Sequence, residues 1–209
     1  MYDALKDNNV DVFTIDELQI FMLLFSDDTV LFSYTKEGLQ CLLNKLYSYC
    51  SQWGIHVNID KTVVMMFKKG NRIEQVDLYY NNILLKNVKR FTYLGVTLSQ
   101  NGCYFQTQKA LAEQSMKALF SLKSFFDIIS LNVTEKIKLF NCMIAPILNY
   151  GSEIWEFHKG PNIEKIHLKF LKQILNVKQQ TMDHMVYGEL GRVPMIIIRK
   201  IRIVKFWIQ

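Results

Sequence analysis

Apolar residues change their spacing once along this chain. From residue 20 to 100 they come in short runs, and beyond Gly102 they recur every three to four positions. The first pattern predicts strands and the second predicts helices. Residues 20–25 and 29–34 are apolar runs flanking Ser26-Asp27-Asp28, which predicts a tight β-hairpin. Lys36–Trp53 interrupts the strands, with Leu39, Leu42, Leu43, Leu46, Tyr47 and either Tyr49 or Cys50 at helical spacing and Gly54 placed to stop the helix. Further strands are expected at 62–67, 76–80, 83–85 and 90–98, with Asn81-Asn82 as a hairpin turn.

The back half predicts helices over 107–129, 134–149, 163–175, 182–190 and 195–207. Thr134 stands before Glu135 and an apolar run, as a helix N-cap would. No internal repeat or low-complexity tract interrupts the pattern. The chain opens just before an apolar hairpin and closes inside an apolar, basic segment, so both ends read as cut.

Composition narrows the function classes. Half of the 209 residues are hydrophobic and 21% are charged, which excludes a disordered chain. Three Pro and nine Gly exclude collagen-like or turn-dense architectures. The net charge of +6 is unevenly spread. Residues 1–100 hold 10 Lys/Arg against 11 Asp/Glu, and residues 101–209 hold 15 against 8. The basic half is the one that would face a polyanion, although a charge of this size is common on soluble proteins.

Cys41, Cys50, Cys103 and Cys142 form no CxxC pair, which predicts reduced thiols and an intracellular chain. His158, His167, His184 and Cys142 are too widely spaced for a compact zinc site. P-loop, GxGxxG and Ser/His/Asp signatures are missing. No basic-then-apolar leader opens the chain, and its longest apolar runs are too short to span a bilayer. No membrane partner is expected, and nucleus and cytoplasm are not distinguished.

Phe25-Ser26-Asp27-Asp28 carries the most chemistry. Adjacent carboxylates repel, and a hairpin tolerates them when its tip is solvated or a divalent cation neutralises them. Two-metal phosphoryl transfer uses such carboxylates to hold ions about 3.5–4 Å apart. Asp-Asp is also an ordinary turn dipeptide.

The flanking sequence resembles a known family. Phe25-Ser-Asp-Asp-Thr-Val-Leu-Phe-Ser33 is similar to the aromatic-x-Asp-Asp hairpin of reverse transcriptases from non-LTR (LINE-type) retrotransposons. Leu39 to Leu46 with Tyr49 to Trp53 resembles the palm helix that follows it. Gly54-Ile-His-Val-Asn58-Ile-Asp-Lys61-Thr62 resembles the next palm motif, and Phe91-Thr-Tyr93-Leu94-Gly95 the primer grip. Leu148-Asn-Tyr-Gly151-Ser-Glu-Ile-Trp155 and Glu189-Leu-Gly-Arg-Val-Pro194 resemble segments after the thumb.

The resemblance implies an α+β fold: a partial polymerase palm over residues 1–100, built as an antiparallel sheet with a packed helix, then a helical thumb and extension over 101–209. It implies that Asp27 and Asp28 ligate magnesium (Mg2+), with Asp27 the firmer ligand. Ser26 replaces the family's usual Ala, a change small enough to keep the hairpin. Lys61 would protonate or stabilise the departing pyrophosphate, although a surface lysine beside a strand is equally compatible. Asn58 is expected to fix the turn before Lys61. Tyr93, Leu94 and Gly95 would position the primer terminus, with an ordinary bulged strand as the alternative.

In the helical half, Lys109, Lys117 and Lys123 could neutralise phosphates of a template–primer duplex, and Lys165, Lys169 and Lys172 form a second stripe. A solvated helix face explains either stripe equally well. Phe120, Phe125, Phe140 and Phe170 are expected in the core.

Partners of the intact enzyme would be RNA template, DNA primer and dNTP. The family also needs a third carboxylate, a nucleotide-selecting motif and fingers, for which the residues before Asp27 leave no room. Asp3, Asp7, Asp11, Asp16 and Glu17 lack the family's apolar context for that carboxylate. The expectation is therefore a fragment of an RNA-directed DNA polymerase that is inactive alone. The alternatives are a non-catalytic nucleic-acid-binding module or an interaction protein derived from a retroelement.

Overall fold

A computed structural model of the chain describes Met1, Leu5 and residues 13–15, 18–68, 75–155 and 160–208. Asp3, Asp7, Asp11, Asp16, Glu17 and His158 lie outside the described residues. The chain folds as two compact units, Met1–Phe91 and Thr92–Gln209. Short strands with one helix, then many helices, give an α+β protein.

In the first unit, β1 (Phe13–Ile15) pairs with β2 (Leu18–Ile20), and β3 (Met22–Phe25) with β4 (Asp28–Leu31), both antiparallel. The second hairpin is tighter than its sequence predicts. Phe25 pairs with Asp28, so only Ser26 and Asp27 turn the chain, and Ser26 takes a left-handed φ of 54°. Helix α1 (Lys36–Trp53) spans the expected residues. Thr35 caps its start by accepting the Gly38 N–H at 3.1 Å, and Gly54 ends it at φ 65°. Its apolar stripe places Leu42, Leu43, Leu46 and Cys50 in a core with Phe21, Met22, Val64, Leu78, Tyr80 and Leu85. Each such large aliphatic side chain contributes about 1.5–3 kcal/mol by leaving water.

The expected strands are shorter than the apolar runs. β5 (Val63–Val64) pairs in parallel with β8 (Lys86–Asn87), and β6 (Tyr79–Tyr80) pairs with β7 (Ile83–Leu84). Asn81 and Asn82 turn between the latter at φ 48° and 62°, the two left-handed residues of a type I′ turn. The Gln40 side chain satisfies the β6 backbone, accepting the Tyr79 N–H at 2.8 Å and donating to its carbonyl at 2.7 Å.

A continuous antiparallel sheet does not form. Among the described residues the strands join only in twos, and one pair is parallel. The pairs are closed by local turns or held on α1, and backbone groups that a longer ladder would use bond to side chains instead. Asn87, for example, accepts the Val76 N–H at 3.3 Å and donates to the Val76 carbonyl at 3.0 Å.

The expected strand over 90–98 is a hairpin. β9 (Arg90–Tyr93) and β10 (Val96–Ser99) flank Leu94 at φ 46° and Gly95 at φ 76°, which reverse the chain in two residues. Helix α2 (Phe105–Ile128) follows, and Thr107 in its first turn accepts the Thr97 N–H at 3.0 Å and donates to the Thr97 carbonyl at 2.9 Å. Helix α3 (Val133–Leu139) is capped by Asn132 rather than Thr134. Asn132 Oδ1 accepts the Glu135 N–H, and Glu135 accepts the Asn132 N–H, each at 2.9 Å. An amide oxygen one position ahead of the helix completes this reciprocal box.

The expected helix over 134–149 is not uniform. A π turn, Phe140–Ile144, separates α3 from α4 (Ala145–Leu148), and the Ala145 N–H reaches back to the Phe140 carbonyl. Pro146 has no N–H for the ordinary bond to the Cys142 carbonyl and its ring crowds that carbonyl, so the ladder widens there. A short helix that the sequence did not suggest, α5 (Ser152–Trp155), precedes α6 (Pro161–Ile174), α7 (Asp183–Glu189) and α8 (Met195–Ile208). Phe140 and Phe170 stack at 4.3 Å in a core with Trp155, Ile144, Leu148 and Met195. Phe120 and Phe125 are exposed instead, at 60% and 44%, because their positions on α2 face away from that core. None of the described helices is long and apolar enough to cross a membrane.

The cap assignment gives a stability prediction. Asn132→Ala should cost about 1 kcal/mol in urea unfolding, and Thr134→Ala much less. Equal losses would contradict the capping box.

Candidate functional site

The β3–β4 hairpin delivers two carboxylates from adjacent residues. Asp27 occupies the turn and Asp28 begins β4 opposite Phe25, and both are solvent-exposed. Phe21 and Met22 are buried at the base, 3% and 7% exposed, while Leu23, Leu24 and Phe25 toward the tip are open. Water around the tip weakens the repulsion between the acids. Their hard oxygen donors suit magnesium, which prefers carboxylates and water. Among the described residues there is no group of three His, Cys, Asp or Glu side chains able to hold a metal.

Asn58 organises the turn before Lys61. Its Oδ1 accepts the Lys61 N–H at 3.2 Å, and its carbonyl accepts the Thr62 hydroxyl at 2.8 Å. The exposed Lys61 side chain therefore leaves from a fixed backbone, just before β5.

Tyr93, Leu94 and Gly95 belong to a hairpin tip in the second unit. The Tyr150 hydroxyl donates to the Leu94 carbonyl at 2.9 Å. A Cβ on Gly95 would lie 2.9 Å from the Tyr150 ring, and one on Gly151 would lie 2.9 Å from Val96. Trp155, fully buried, donates its indole N–H to the Tyr150 carbonyl at 2.8 Å. Two motifs separated in sequence thus meet at one turn. Sequence reasoning assigned Tyr150 no role; the only signal was its place in the Leu148–Trp155 motif.

The lysine stripes fare differently. Lys109, Lys117 and Lys123 are exposed on α2, with Lys109 3.9 Å from Glu113. The second stripe does not survive as a free face. Lys172 is buried and bonds Asp183 at 2.7 Å and the Gln179 carbonyl at 2.8 Å. Lys169 lies 5.3 Å over the Phe120 ring and 3.5 Å from the Met116 sulfur. Only Lys165 of that trio is solvated. Packing of α6 against α2 and the following loop captures the other two, which a charge count along one helix cannot register.

Residues 1–98 match the family described as "Reverse transcriptase (RNA-dependent DNA polymerase)". That segment of the chain belongs to the reverse transcriptase family. Its relatives come from mobile elements. An uncharacterized transposon-derived protein of Caenorhabditis elegans is 27% identical over 66% of this chain and 50% of its own length. The RNA-directed DNA polymerase from mobile element jockey of Drosophila melanogaster is 21% identical over 78% of this chain and 18% of its own length. A retrovirus-related Pol polyprotein from a type-2 retrotransposable element of the same fly is 33% identical over 37% of this chain and 8% of its own length. The non-LTR resemblance drawn from the motifs therefore holds. The alignment reaches half the length of the first relative and under a fifth of the jockey polymerase. No solved structure gives a significant match.

Beyond the segment assigned to the reverse transcriptase family, the helical unit contains an ionisable cluster with a structural task. Glu164 on α6 accepts hydrogen bonds from the Tyr187 hydroxyl and from the Met195 N–H at 3.2 Å, with His167 Nδ1 3.7 Å away. It ties α6 to α7 and to the start of α8. Burial pushes the Glu164 carboxyl up, but His167, the Tyr187 hydroxyl and the Met195 N–H together outweigh it and hold the group below its ordinary value. Burial, and next the adjacent carboxylate, push the Tyr187 hydroxyl up. In the same unit Arg202 bonds Glu153 at 2.8 Å. That partner and a backbone hydrogen bond outweigh burial and hold the Glu153 carboxyl low too.

A carboxyl depressed in the fold stabilises it fully above the unfolded value and loses that contribution as pH falls through the folded one. The melting temperature should therefore drop as pH is lowered past about 4.5, the ordinary value for Glu164. Glu164→Gln should flatten part of that fall in melts between pH 6 and 3, leaving the part due to Glu153. An unchanged pH slope would show that the cluster does not stabilise the fold.

Proposed function

We propose that this chain is part of the DNA-synthesising core of a non-LTR mobile element, and that it holds a template–primer hybrid but does not polymerise alone. The observation that carries the reading is the exposed Asp27-Asp28 tip on a two-residue turn, inside the segment that matches the reverse transcriptase family. The ordered motifs after it, through Tyr93-Leu94-Gly95, support the same reading.

In the intact enzyme Asp27 and Asp28 would supply oxygen ligands to magnesium. The ions supply Lewis acidity for nucleotidyl transfer from dNTP. Lys61 places a cation for the departing pyrophosphate. Tyr93, Leu94 and Gly95 contact the primer end, and Lys109, Lys117 and Lys123 neutralise phosphates of the RNA–DNA duplex. Among the described residues no third carboxylate joins Asp27 and Asp28, and hybrid binding is the activity we expect of the chain by itself.

Fluorescence anisotropy with a labelled RNA–DNA hybrid tests this at increasing salt. Affinity should fall steeply, with each phosphate contact contributing roughly 0.9 to the log–log slope. Lys117→Ala with Lys123→Ala should reduce that slope by about 1–2, whereas Lys172→Ala should act through stability. A flat salt response, or no binding, would overturn the reading.

A further inference from the structure

The tip formed by Leu94 and Gly95 is unusual in being held from outside its own hairpin. Its two residues both sit at positive φ, 46° and 76°. A leucine in that region is disfavoured by about 1–2 kcal/mol, so the turn needs external support. Tyr150 provides it in two ways, through its hydroxyl on the Leu94 carbonyl at 2.9 Å and through a ring edge close against Gly95.

Tyr150 is itself held. Its carbonyl accepts from the buried Trp155, and Gly151, at φ 62°, lets the chain pass against Val96 where any side chain would collide. Behind the turn, the paired Thr97–Thr107 hydrogen bonds lock β10 to the first turn of α2. The tip is nevertheless open to solvent, with Leu94 38% and Tyr150 49% exposed. A rigid, exposed reverse turn with glycine at its apex admits close approach by a sugar–phosphate backbone.

We propose that Tyr150 is a positioning residue that clamps the Leu94-Gly95 tip in the shape that receives a primer 3′ end. This rests on the primer-terminus reading above. Tyr150 presets the backbone that Leu94 and Gly95 present, so losing its hydroxyl loosens the turn without removing any side chain of the tip. Preorganisation of this kind lowers the ordering cost of receiving a primer end, a gain that a blunt end not seated on the tip does not share.

The test uses the full chain and two labelled RNA–DNA hybrids, one with a recessed primer 3′ end and one blunt. Wild type should prefer the recessed end. Tyr150→Phe should reduce that preference about three- to tenfold, the range expected for one hydrogen bond, and leave blunt-end affinity within twofold. Amide hydrogen exchange over residues 92–99 should quicken in the same variant. Gly95→Ala, which strains the φ 76° backbone and crowds the Tyr150 ring while keeping its hydroxyl, should also lower the preference. It covers the case in which Tyr150→Phe folds poorly. Wild-type preference and wild-type exchange in Tyr150→Phe would overturn the clamp. No end preference in the unsubstituted chain would instead defeat the primer-terminus reading, and the clamp's purpose with it, whatever the exchange data show.

Discussion

Reversing the chain within two residues is the constraint on which the site depends. A two-residue loop forces left-handed backbone at its tip, and here that tip falls at Ser26-Asp27, Asn81-Asn82 and Leu94-Gly95. Each reversal presents its central residues to water. At the first, the reversal places Asp27 at the apex and Asp28 on the opposing strand while Phe21 and Met22 stay buried. Had the loop been three residues long, Asp28 would sit in the loop instead of facing Phe25. Ser26 tolerates φ 54° because the pairing on either side fixes the turn around it.

The same economy governs charge. A lysine on a helix is available to a polyanion only if no neighbouring element takes it. Lys117 and Lys123 remain solvated, while α6 gives Lys169 to an aromatic face and Lys172 to Asp183. The basic second half is therefore less uniformly a binding face than its net charge implies. Part of its ionic content joins helices to one another, as Glu164 does with Tyr187 and Glu153 with Arg202.

Local features were legible in the sequence. Helix Lys36–Trp53 matched its apolar period and its glycine stop, and the acidic hairpin and the Asn81-Asn82 turn matched their flanking runs. The motifs also pointed to the family found for residues 1–98. What failed needed partners that no single segment contains. The run 90–98 looked like one strand because Leu94 is apolar, yet the tie to Tyr150 holds it as a turn. The π turn at Phe140–Ile144 follows from Pro146 acting on a carbonyl a turn earlier, which a count of apolar positions ignores. Thr134 lost the cap to Asn132 because only Asn132 can exchange bonds with Glu135. The site residues were chosen from motif order, and geometry adds the surroundings of each rather than its chemical role.

Primer extension addresses the central claim most directly. With an annealed RNA template, a labelled DNA primer, all four dNTPs and magnesium, the chain alone should leave the primer at its starting length while still retarding the hybrid in a gel. Template-dependent elongation that disappears on Asp27→Asn would contradict the account, because the two acids of one hairpin would then be working within a complete catalytic centre.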